Sequence, residues 1–198
     1  MKKIILSALA VCAFTFVSAQ DKKSDGAGFS SGDVFVTGGV AITSSNDKNT
    51  DTKDSGFGLT PKVGYFLTEN IALGAKVGFM SAKTTVAGAT TMDDSGVMFG
   101  AFGRYYFSPA SQFSVFTELG FDYTTMKDKI TSVKENTMGV GLSLGLNYFV
   151  SNHFALEASY AGLSIESSKV DVPGAKNTSN FGLGADLSAV SIGLLYKF

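Results

Sequence analysis

Cysteine occurs once, at Cys12, and tryptophan not at all. Because Cys12 lies in the leading apolar run, the chain beyond that run has no thiol. Disulfides, thiolate catalysis and a Cys/His metal site are thereby excluded, and no metal or other cofactor is expected. His153 is the lone histidine, which removes the usual general base from most enzyme arrangements. Only three prolines occur, too few for Pro-rich linkers. A formal net charge of −1 gives no basic footprint for nucleic acid. After the leader, no stretch reaches 18 uninterrupted apolar residues, so no segment reads as a membrane-spanning helix. What the chain does have is glycine (23 residues), 44% hydrophobic and 17% charged content over 198 residues. Those values fit one folded domain rich in regular strands.

Lys2 and Lys3, the apolar run from Ile4 to Val17, and Ser18-Ala19 before Gln20 form the three parts of a secretory signal, so residues 1–19 are expected to be removed after Ala19. The 14-residue run falls short of the ~20 needed for a spanning helix. Leu9-Ala10-Val11-Cys12 loosely resembles a lipoprotein acylation box, but Val11 is bulky for its place and the run continues to a better cleavage site. Loss of Lys2 and Lys3 takes the charge from −1 to −3. Residues 20–33 are polar and read as a flexible periplasmic lead-in, and residues 34–198 as the folded domain.

From Val34 the pattern becomes alternation. Candidate strands are 34–43, 57–67, 71–81, 97–107, 113–123, 138–149, 154–163 and 188–198. Each has about the ten-residue length that a tilted membrane strand needs. Short connections (68–70, 108–112, 150–153) alternate with long polar ones near 44–55, 82–94, 124–136 and 164–185. The expectation is an all-β, closed, antiparallel transmembrane β-barrel of about eight strands, an up-and-down meander with tight turns at one end and four polar loops at the other.

One parity in each strand is bulky and the other small or charged. Ile71, Leu73, Val77 and Phe79 oppose Ala72, Gly74, Lys76 and Gly78; Met138, Val140, Leu142, Leu144 and Leu146 oppose Gly139, Gly141, Ser143, Gly145 and Asn147. A period of two sends the two sets to opposite faces. A soluble sheet would carry dense charge on its polar face, whereas Gly, Ala and Ser are the sizes that fit inside a narrow barrel. Charge parity separates the faces further, because Arg or Lys facing lipid at the midplane costs ~2–4 kcal/mol. Lys62, Lys76, Arg104, Glu118, Asp122, Glu157 and Lys197 all share the small-residue face. The first six, three cations and three carboxylates, predict a lumen charge network that holds the interior closed.

Tyr65-Phe66, Tyr106-Phe107 and Tyr148-Phe149 each precede a short turn, at spacings of 41 and 42 residues. The repeat predicts an aromatic girdle made by all six rings at the membrane interface. At the chain end, Ser191, Gly193, Tyr196 and Phe198 stand in a segment where Val190, Ile192 and Leu194 alternate. This resembles the C-terminal insertion signal of bacterial outer-membrane barrels and implies the barrel-assembly machinery as a partner during insertion. The chain from about Val34 onward resembles the small OmpA/OmpX-like outer-membrane barrels of the porin family, without tryptophan in the girdles and without an appended peptidoglycan-binding domain after Phe198. That resemblance implies the cell outer membrane, surrounding lipid and a monomer.

Function is expected to be structural or surface-interacting, with an unidentified extracellular ligand met by the loops. The alternative is a narrow pore or passive transporter for a small or apolar solute, given space at Gly64, Gly74, Gly78, Gly100, Gly120 and Gly145. An enzyme is not expected, for His153 falls in a short turn, and Glu118 with Asp122 reads as ion-pair chemistry rather than an acid/base pair.

Overall fold

A computed structural model describes residues 26–183 and 190–198. The expected leader, residues 1–19, and the first part of the expected lead-in lie outside the described residues. The strands are β1 (Val34–Asp47), β2 (Thr52–Phe66), β3 (Ile71–Val86), β4 (Ala89–Tyr106), β5 (Phe113–Asp128), β6 (Lys134–Phe149), β7 (Phe154–Val170), β8 (Thr178–Leu183) and β9 (Val190–Lys197). Each of β1 to β7 pairs antiparallel with the next. Both β8 and β9 lie against β7, β9 along Phe154–Tyr160 and β8 along Leu163–Ser168. They share the eighth stave. β9 returns to β1 from Phe35↔Lys197 to Gly39↔Gly193 and closes the barrel. The result is a closed eight-stave meander, the arrangement that lets strands satisfy their backbone polar groups on one another in lipid.

The strands differ from expectation at one end. The long connections shrink to residues 48–51, 87–88, 129–133 and 171–177, so most of each expected loop is strand, and β8 itself forms inside the expected 164–185 loop. The tightest turn, Ala87-Gly88, has φ of 48° and 80°, the two left-handed residues of a hairpin turn matched to strand twist. Strands of 14 to 18 residues from β1 to β7 exceed the ~9–11 that cross a bilayer. Their Ser, Thr, Asp and Lys ends continue the ladder where both faces meet water, so the apolar/polar alternation fades although the pairing does not.

Alternation holds where lipid and lumen differ. Leu73 (50% exposed), Phe99 (59%) and Leu144 (58%) face outward, while Phe35, Phe66, Phe116 and Leu195 are fully buried inside. In β7 the register shifts between Leu142 and Ser143 of its partner, leaving Gly162 without a rung. This bulge exchanges the faces: Ala155 and Glu157 are buried before it, and Ser164 and Glu166 take the lumen side after it, opposite Gly141 and Gly139.

Candidate functional site: the barrel lumen

The interior is built in layers. At the end where β1 begins and β9 ends, Phe29 is 2% exposed and its ring meets those of Phe66 (4.6 Å), Phe149 (4.9 Å), Tyr106 (5.0 Å) and Phe35 (5.7 Å). The segment carrying it is tied across the barrel mouth. Phe29 N donates to Pro109 O at 2.7 Å, Gly32 N to Phe66 O at 2.9 Å, and Lys197 Nζ to Gly28 O at 2.6 Å. Gly28 has φ of 110°, and a Cβ there would collide with the Pro109 and Ala110 backbone, so glycine is required for this approach. Within its described part, 26–33, the expected flexible lead-in is therefore a folded strap. Polar composition concealed it because a single ring, Phe29, supplies the burial.

Two of the three aromatic pairs split as Tyr65 outward (48% exposed) with Phe66 inward (0%), and Tyr148 outward (45%) with Phe149 inward (0%). In the third pair Tyr106 is inward (0%) and Phe107 outward (58%). The six-membered girdle is thus corrected to three: Tyr65, Phe107 and Tyr148 remain on the outer face, and Phe66, Tyr106 and Phe149 cap the lumen. Adjacent strand residues point to opposite faces, which rules out both members of a pair facing lipid. Tyr105, Phe113 and Phe154 supply outward rings at the same end.

Above the aromatic layer lies the charge layer. Arg104, fully buried, donates through Nε to Glu118 Oε2 at 2.6 Å and, in bidentate fashion, to Glu157 at 2.7 and 2.9 Å. Lys62 Nζ reaches Glu118 at 2.9 Å, and Lys76 Nζ lies 2.8 Å from Asp122 Oδ1. The Arg104 guanidinium sits 4.1 Å from the Phe116 ring centroid, a favourable cation–π position. It also donates to the Tyr106 hydroxyl at 3.1 Å, and the Asn147 side chain lies 3.3 Å from that oxygen. Cross-strand register brings the six charges together: Arg104 faces Glu118, Lys62 faces Lys76, Glu157 faces Asn147, and Lys76 and Asp122 both face Gly100 from its two sides. A seventh charge, Lys197, stands 3.7 Å from Asp33. Burial pushes the Asp33 carboxyl above its ordinary range, against the opposing pull of the Ser30 amide and the Lys197 ammonium.

Several lumen glycines are space for rings rather than passage. Phe35 lies over Gly64, Phe102 over Gly74 and Phe116 over Gly145, each its cross-strand neighbour, so a Cβ at any of the three would strike the ring. Gly100 is filled likewise by Asp122 and Lys76. Beyond the charge layer the lumen widens into two cavities of about 350 and 420 Å³ that share Lys62, Lys76, Ser159 and Ser191. His153 is turned away from all of this, its Nδ1 2.8 Å from Lys197 O and its ring stacked on Tyr196. Tyr196 packs edge-on against Phe154 and Phe198, while Gly193 pairs with Gly39 and Ser191 with Ser159.

A closed meander with an apolar outer band and a filled polar lumen defines the class, a transmembrane β-barrel. The chain belongs to the outer membrane protein beta-barrel domain family, whose model matches residues 6–198, and its location is the cell outer membrane. Among solved structures it is similar to the Pseudomonas aeruginosa outer membrane protein OprG, with a TM-score of 0.55 and 18% identity over 86% of this chain and 98% of that one. It is also similar to Neisserial surface protein A, with a TM-score of 0.45 and 18% identity over 86% of this chain and 99% of that one. No curated protein sequence matches the chain.

Proposed function

We propose that this outer-membrane protein is a closed scaffold whose role lies at its surface, carried by the polar strand ends and turns rather than by flow through its interior. The supporting observation is the double seal: a Phe29-centred ring layer and, above it, the Arg104–Glu118–Glu157 layer with its Lys62 arm. A barrel of eight staves is wide enough only for its own side chains. In this reading the termini and the short turns face the periplasm, and the extended strand ends, with the turns at 48–51, 87–88, 129–133 and 171–177, face outward. Catalysis has no part in it, since His153 is engaged with the chain end and the lumen carboxylates are spent on cations. The outward rings of Tyr196 and Phe198, with Gly193 and Ser191 inward, suit recognition of the last strand by barrel-assembly machinery.

Planar-bilayer recording of the refolded protein tests the closed reading. Wild type should show no unitary conductance, and Glu118→Ala should stay silent because the Phe29 layer still closes the mouth. Stable channels in wild type would replace the scaffold with a narrow pore, the second reading, which the two cavities with shared lining residues favour.

A further inference from the structure

Charge on the barrel is mostly divided by face at the end that carries the turns 48–51, 87–88, 129–133 and 171–177. Following the outward parity up each strand gives the same order of chemistry: Phe57, Ser55, Lys53 on β2; Phe79, Ser81, Lys83 on β3; Tyr123, Thr125, Lys127 on β5; Met138, Asn136, Lys134 on β6; Ile165, Ser167, Lys169 on β7. An outward apolar residue marks the edge of the lipid band, one small polar residue follows, and then an exposed lysine. Two residues per step at ~3.3 Å each put the ammonium groups roughly one headgroup depth above that edge. At the same height the opposite parity carries Asp54, Asp94, Glu135 and Glu166, directed to the barrel mouth, while Asp93, opposite Lys83, and Asp171, opposite Lys134, are acids on the outer parity. Every described lysine that faces away from the lumen lies at this end.

Three of these lysines are crowded. Lys127 and Lys134 are direct cross-strand partners, and Lys169, opposite Asn136, is diagonal to Lys134. Like charges directly opposite one another destabilise a sheet unless a counter-charge is shared. Yet none of the three makes an ion pair among the described residues; the one ion pair on this outer rim joins Lys129 to Asp93. Asp171, which carries the register on to a place opposite Lys134, is not ion-paired with it.

We infer that Lys127, Lys134 and Lys169, with Lys53 and Lys83 completing the belt, form a binding surface for phosphate-bearing lipid headgroups of the outer leaflet. The apolar residues below would hold the acyl chains and the ammonium groups the phosphate, whose multiple oxygens can satisfy several donors at once. The choice of leaflet rests on the orientation proposed above; the phosphate chemistry does not, and conductance plays no part in its test.

The test reconstitutes the full barrel in phosphatidylcholine bilayers and measures, by electron spin resonance, the association of spin-labelled phosphatidic acid relative to spin-labelled phosphatidylcholine. Wild type should favour the phosphatidic acid by about fivefold at low salt. That preference should collapse at about 0.5 M salt, where the screening length is ~4 Å. The triple variant Lys127→Gln/Lys134→Gln/Lys169→Gln, checked for folding by heat-modifiable migration, should lose most of the preference, while the turn variant Lys48→Gln/Lys176→Gln should keep it. Equal association of the two lipids with wild type would overturn the inference, as would a preference that survives the triple substitution or high salt. Release of the label by millimolar inorganic phosphate alone would overturn the assignment to lipid.

Discussion

Removing Glu118 interrogates the charge layer at its most connected point. In Glu118→Ala, Lys62 loses both of its carboxylate contacts (2.9 and 3.3 Å) and Arg104 loses the 2.6 Å bond from Nε, while its bidentate bridge to Glu157 persists. Breaking a buried pair by deleting one partner costs about 3–5 kcal/mol, because the other charge is left uncompensated. Arg104 keeps one partner and Lys62 has some access to the cavity, its side chain 18% exposed, so the lower end, ~3 kcal/mol, is expected. The double variant Glu118→Ala/Lys62→Met removes a cation and an anion together and should recover at least ~1 kcal/mol of that loss. Urea unfolding of the refolded barrel in phosphatidylcholine vesicles, read by heat-modifiable migration and tyrosine fluorescence, measures both. A single-variant loss under ~1 kcal/mol, the value of an ordinary exposed pair, would refute the claim that these charges are held in a desolvated layer. So would a double variant no more stable than the single one.

Three other outcomes follow from the same geometry. Phe29→Ala should cost ~3–5 kcal/mol, the range for emptying a packed aromatic site, and should make the 26–33 strap sensitive to protease; a strap as resistant as in wild type would show that its backbone bonds alone suffice. Leu142→Arg should block insertion into vesicles, while Ser143→Arg, directed to the lumen, should still yield folded barrel; equal damage would sink the assignment of faces. Because burial raises Asp33, the folded state binds its proton more tightly than the unfolded chain does. The contribution of this group is therefore greatest at low pH and declines as pH rises through the raised value. Asp33→Asn should remove that component from the urea midpoint measured between about pH 3 and 7, the carboxylate range, and an unchanged pH dependence would contradict it.

What the sequence revealed and what it hid divide along physical lines. Membrane-depth strands were legible because lipid and lumen impose opposite demands on successive residues, and the parity of Lys62, Lys76, Arg104, Glu118, Asp122 and Glu157 followed from the cost of charge in lipid. Which cation meets which carboxylate depends on the barrel's closure and stagger, and only the folded structure pairs Arg104 with Glu118 and Glu157. Strand ends beyond the membrane left no alternation to read, so β8 and the outer ends of β1 to β7 passed for loops. The girdle was misread by treating Tyr65-Phe66 and its repeats as pairs, when the same period of two that fixes the faces also divides each pair between them. The capping role of Phe29 left no periodic signal at all, being one ring in a run of glycine and serine.

The bulge at Gly162 reaches further than the local ladder. It acts as a change of phase in an otherwise binary code, after which odd and even exchange meanings for the rest of β7. Deleting that one glycine would leave Ser164 opposite Gly141 and every face as it is, whereas giving it a rung of its own would slip the ladder beyond it by one residue and turn Ser164 and Glu166 toward the outside and Ile165 toward the lumen. Any alignment that runs straight through the strand without a gap makes the same inversion on paper, reading a charged lumen residue as a lipid contact.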